Sequence, residues 1–123
     1  MKLIGNITAF IVLGISGLAQ PREECHGTTY DMSVCLSKIY ERSDAELNTV
    51  YRDVLRQFSD SKRHTENLRV SERRWIAYRD AQCKAQYDLF EGGTGGPLEN
   101  LRCLIEMTHQ RTAKLKQVYL SPR

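Results

Sequence analysis

The sequence predicts an all-α protein, a three-helix antiparallel bundle stapled by two disulfides. Three observations predict it. Apolar residues recur at steps of three and four along stretches far longer than a strand, with none of the alternation a sheet requires. Only two stretches read as connections, Ser59 to His64 and the glycine-rich run from Glu91 to Pro97. Four cysteines, Cys25, Cys35, Cys83 and Cys103, stand in a chain of 123 residues that is 41% hydrophobic and 27% charged. That composition builds one small domain whose core needs reinforcement.

The first segment is a leader. Met1-Lys2 carries one positive charge, Leu3 to Ala19 contains none, and Gly17 and Ala19 are small residues two positions apart, as a signal peptidase pocket requires. Residues 1–19 are expected to be a signal peptide cleaved after Ala19, because cutting one residue later would place Pro21 just beyond the scissile bond. A retained anchor is the alternative, but a span of about 17 residues with three glycines and an asparagine is marginal. Cys25 stands too far from the cleavage point for a lipoprotein. The expected address is periplasmic or secreted, with no membrane anchor after cleavage. Removing residues 1–19, with their single Lys, leaves 104 of the 123 residues and lowers the net charge from +3 to +2.

An oxidising destination makes the four thiols two disulfides. Zinc is not expected, because the cysteines form no close pair and His26, His64 and His109 are scattered. No cofactor is expected either. The charges are interleaved, as in Glu72-Arg73-Arg74 and Arg79-Asp80, which describes solvated helical faces and excludes a nucleic-acid partner.

The first helix starts at Thr28 or Thr29, with Thr28 as N-cap and Asp31 placed to meet free amides and the positive end of the dipole. Its stripe runs through Met32, Cys35, Leu36, Ile39, Tyr40, Ser43, Leu47, Val50, Tyr51, Val54, Leu55 and Phe58. The second runs from about Thr65 to Phe90, with Leu68, Trp75, Ile76, Arg79, Cys83, Tyr87 and Phe90 on or near its inner face. Gly92 suits a left-handed stop and Pro97 the first turn of a third helix reaching roughly Leu120. That helix carries Leu101, Leu104, Ile105, Thr108, Leu115, Val118 and Tyr119, interrupted by Arg111. His109 and Arg111, near Lys114 and Lys116, give it a basic last stretch that complements its negative end. Trp75, Tyr40, Tyr51 and Tyr78 read as packing residues. The cysteines gather at one end of such a bundle, and all three pairings are geometrically open. The preferred one joins Cys35 to Cys83 and Cys25 to Cys103.

The first hairpin fixes a register. With its turn near residue 61 or 62, residues whose numbers total about 123 face one another. Asp44 then opposes Arg79, and Asn48 opposes Trp75 and Ile76. An Asp44–Arg79 pair with Asn48 beside it is the expected structural polar network. No Ser-His-Asp, Cys-His or metal arrangement can be assembled, so no catalytic residue is assigned and an enzyme is not expected.

Asp31-Met32 before Cys35, Asp44-x-x-Leu47-Asn48-x-x-Tyr51, Trp75-x-x-Tyr78-Arg79-Asp80 before Cys83, Gly92-Gly93-Thr94, Cys103 and Thr108-x-x-Arg111 together resemble the LprI-type lysozyme-inhibitor domain family. The resemblance covers nearly the whole mature chain. It implies a small secreted bacterial helical domain that acts by binding a protein partner, a lysozyme being the implied one. Blocking a muramidase means occupying a cleft with two catalytic carboxylates. The most protruding donor-bearing candidate is the connection with Gly93, Thr94 and Gly95 at its tip. Helix capping alone would also explain those glycines. The alternative function is an interaction module for an envelope protein, without lysozyme inhibition.

Overall fold

The computed structural model describes residues 24–122, so the expected signal peptide lies outside the described residues. Helix α1 spans Thr29–Gln57, α2 Lys62–Asp88 and α3 Gly95–Leu115, and α3 runs on into a π-helical turn, Lys116–Leu120. No strand occurs among the described residues. Successive helices are antiparallel, and α3 lies against both α1 and α2.

The start of α1 is a capping box. The Thr28 hydroxyl accepts from the Asp31 amide at 3.1 Å, and the Asp31 carboxylate accepts from the Thr28 amide at 3.0 Å and from its hydroxyl at 2.7 Å. These bonds hold the Asp31 carboxyl below the ordinary carboxylate range. Just upstream, Gly27 sits at φ +108°, which reverses the chain so that Cys25 returns along the first turns of α1. Helix α2 starts one turn earlier than expected, with Ser61 as N-cap accepting from the His64 amide at 3.3 Å.

The disulfides correct the expected pairing. Cys25 bonds Cys35 and Cys83 bonds Cys103, with Cα separations of 5.8 and 5.5 Å. The reversal at Gly27 makes the first bridge local, and the α2–α3 hairpin places Cys83 and Cys103 across from each other. No bridge joins α1 to α2.

The two ends of the bundle are held differently. Leu47, Val50, Val54, Leu68 and Leu115 form the main buried cluster, with Tyr51, Leu55, Phe58, Trp75, Tyr119 and Leu120 packed around it. This cluster lies toward the α1–α2 turn, where the Phe58 ring meets His64 and Tyr119 edge-on at 5.7 and 5.9 Å. Both disulfides lie toward the opposite end, beside buried Leu36 and Leu98. The stripe of α1 points inward as expected. On α2, Ile76 is exposed and Tyr78 is 59% exposed, and Phe90, expected at the end of this helix, is exposed in the turn after Asp88, contrary to the packing role expected for them. Arg79 is buried on the inner face as expected, and Glu72, which was not expected there, is buried beside it.

Candidate functional site

Between the apolar cluster and the disulfides lies a belt of buried polar side chains. Arg79, only 5% exposed, is its centre. Its Nη1 donates to Asp44 Oδ1 at 3.5 Å and to Thr108 Oγ1 at 3.3 Å, and its Nε donates to Asp80 Oδ1 at 2.9 Å. The guanidinium carbon stands 5.6 Å from the Tyr40 ring centre and 5.4 Å from that of Trp75. Asn48 Nδ2 reaches the other Asp44 oxygen at 3.3 Å. Asp44, Asn48 and Arg79 are thus brought together, with Arg79 inside and Asp44 and Asn48 toward the surface.

A second pair was not expected from sequence. Arg111 Nε and Nη2 donate to Glu72 Oε2 at 3.0 and 2.8 Å, Nη2 also reaches Ser71 Oγ at 3.2 Å, and the guanidinium covers the Trp75 ring at 5.5 Å. Arg111 does not interrupt the stripe of α3; it crosses to a buried carboxylate on α2. Two other basic residues of that stretch, His109 and Lys116, bond to α1. His109 Nε2 lies 2.7 Å from Ser43 Oγ, whose own proton goes to the Ile39 carbonyl at 2.9 Å, so the imidazole is the donor. Lys116 donates to Glu46 at 2.7 Å. Burial raises the phenols of Tyr40 and Tyr51 above the ordinary tyrosine range, and the Glu72 charge adds to the effect at Tyr51.

The α2–α3 corner is the other region of interest. After Asp88 the chain descends through tight bonds, Phe90 N–H to Tyr87 O at 3.1 Å, Glu91 N–H to Asp88 O at 3.2 Å and Gly93 N–H to Phe90 O at 2.8 Å. Glu91 at φ +48° and Gly92 at φ +81° then turn it by two consecutive left-handed residues. A Cβ on Gly95 would stand 2.9 Å from the Phe90 ring, and one on Gly96 would stand 3.1 Å from that of Tyr87, so these glycines let two aromatic rings lie on backbone. Leu89 is 79% exposed and Phe90 half-exposed. Thr94 occupies the N-cap position of α3, yet its side chain makes no capping bond. Gly93 and Thr94 are exposed while Gly95 is half-buried. The buried Cys83–Cys103 bridge stands at the base of the corner.

Among the described residues no group of three or more His, Cys, Asp or Glu could hold a metal ion, and no helix is long and apolar enough to cross a membrane. A family model described as Lysozyme inhibitor LprI matches residues 21–115. An uncharacterized protein of Rhizobium meliloti (strain 1021) is 32% identical over 112 residues, covering 80% of this chain and 81% of that protein. No solved structure matches the chain. The matched span holds both disulfides, the whole polar belt and all three α-helices, and by that match the chain belongs to the LprI lysozyme-inhibitor family.

Proposed function

We propose that this is a secreted or periplasmic protein-binding domain that inhibits a muramidase, with the α2–α3 corner entering the enzyme's cleft. The observation that carries the reading is the Thr94 hydroxyl. It stands at a helix N-cap position without capping, on a corner shaped by Gly92, Gly95 and Gly96. A threonine that served only to cap α3 would bond its hydroxyl to an α3 amide. Left free on an exposed tip, it can donate to one of the two carboxylates a muramidase uses. Leu89 and Phe90 beside it supply apolar area of the kind found at the centre of interfaces. A corner held by a disulfide also loses little conformational freedom on binding. No residue of this chain is asked to do chemistry.

The test is lysis of cell walls by a panel of animal and bacterial muramidases, with oxidised residues 20–123 titrated in. Saturating inhibition near equimolar ratio, lost on reduction and weakened by Thr94→Val and Leu89→Asp, is the expected result. No inhibition of any enzyme in the panel overturns the reading and leaves an envelope-protein interaction module.

A further inference from the structure

We infer that the outer face of α2 between Lys62 and Arg74 is a docking surface for an anionic phospholipid bilayer. In sequence its charges are interleaved, but the fold separates them. Glu72, next to Arg73 and Arg74 in the chain, is turned inward and bonded to Arg111, so it does not offset its neighbours at the surface. Lys62, Arg63, Arg69, Arg73 and Arg74 are all exposed on this stretch, against the single exposed carboxylate of Glu66. Among the described residues Glu66 forms an ion pair only with Arg73, at 3.9 Å. Asp60, exposed just before the helix, is the other carboxylate of the neighbourhood.

The geometry selects the class of partner. The stretch covers about 18 Å of helix on a convex rod. It has no concave wall, and no Phe, Tyr or Trp lies between residues 62 and 74. A single nucleic-acid strand would want a groove with rings for its bases. A plane of lipid phosphates needs only cations that reach it together, and arginine pairs with phosphate through two parallel bonds. The face also lies toward the end of the bundle away from the disulfides, so a membrane-docked molecule would keep the α2–α3 corner free. This inference does not depend on muramidase binding.

The experiment is vesicle co-sedimentation with oxidised residues 20–123, which hold every described helix and both disulfides. Vesicles rich in phosphatidylglycerol are compared with pure phosphatidylcholine at low and physiological salt. Binding to the anionic vesicles alone, weakening with salt, is expected. Arg69→Glu/Arg73→Glu/Arg74→Glu should lower it by at least roughly a hundredfold, from about fivefold for each cation lost near such a surface and before the repulsion of the added carboxylates. A control with the same charge change at the other end, Lys38→Glu/Lys84→Glu/Arg102→Glu, should lower it far less. Circular dichroism of both variants confirms the helices. Equal binding to both vesicle types, equal losses in the two triple variants, or binding to duplex DNA but not to vesicles would each overturn the inference.

Discussion

Arg111→Ala should be among the most damaging substitutions available in this chain, although Arg111 is not itself a member of the apolar cluster. Its guanidinium makes both close bonds to Glu72, whose side chain is 8% exposed. Deleting one partner of such a pair leaves a charge in a poorly solvated place at a cost of about 3–5 kcal/mol. The loss of the cation over the Trp75 ring adds about 1 kcal/mol. Domains of this size have about 5–15 kcal/mol in total, so the variant should be close to unfolding at body temperature. Glu72→Ala should cost less, because the longer Arg111 side chain can swing toward water. Replacing both, as Glu72→Leu/Arg111→Met, should fall within about 1 kcal/mol of the parent, since a buried pair and a well-packed apolar isostere are often close in energy. Urea unfolding of the oxidised chain, followed by circular dichroism across the four members of the cycle, measures the coupling. A loss under about 1 kcal/mol for Arg111→Ala, or strict additivity in the cycle, would refute the argument that Glu72 depends on Arg111.

Three further outcomes follow from the same structure. Cys83→Ala/Cys103→Ala should cost about 3 kcal/mol from the entropy of its 20-residue loop, and peptide mapping without reductant should recover Cys25 with Cys35 and Cys83 with Cys103. The folded pKa values of Tyr40 and Tyr51 are raised, so their contribution to stability is complete below the ordinary tyrosine range and is lost as pH rises through the folded values; their phenol signals should titrate late in an alkaline NMR series. For Asp31 the folded pKa is lowered, so its contribution is present above the unfolded carboxylate value and is lost as pH falls through the folded one; Asp31→Asn should remove that acid-side loss of protection from the first amides of α1 in hydrogen exchange.

The helices were legible because they are written in local terms. Thr28 with Asp31, the apolar steps of α1, the left-handed Gly92 and the two breaks each need only a few neighbouring residues to be read. The Asp44–Arg79 contact was legible for another reason: it follows from the register of one hairpin. The same register rule, applied to the second hairpin with its turn near Gly93, pairs residues whose numbers total about 186. It would have brought Cys83 to Cys103, Trp75 to Arg111 and Arg79 near Thr108, and so found both a disulfide and the Glu72–Arg111 pair. What remained illegible was the Cys25–Cys35 bridge, which depends on Gly27 reversing the chain, and the exposure of Ile76, Tyr78 and Phe90. An apolar residue on a helix declares a preference for burial. It does not reveal that a neighbouring Arg or Glu, satisfied by an ion pair, holds the inner position.

That substitution of charge for apolar bulk explains how a weakly apolar α2 can still be the middle helix of the sequence. Its inner face is fixed by Glu72 and Arg79, each bonded to a specific partner on another helix, Arg111 on α3 and Asp44 on α1. Apolar packing would tolerate a shift of one turn along a neighbour; two donors converging on one Glu72 oxygen, or one guanidinium shared among Asp44, Asp80 and Thr108, do not, because a displaced guanidinium leaves a buried carboxylate unpaired. The belt therefore sets helix register at the level where the apolar cluster ends and before the disulfides begin. Because register is set there, the α2–α3 corner is positioned relative to α1 without a covalent link to it. The bridge at Cys83–Cys103 then needs only to hold the corner together, and α1 carries its own bridge at Cys25–Cys35. Placement of the exposed Thr94 and Leu89 thus rests on the arginines of the belt, which makes Arg79 and Arg111 positioning residues for a surface they do not touch.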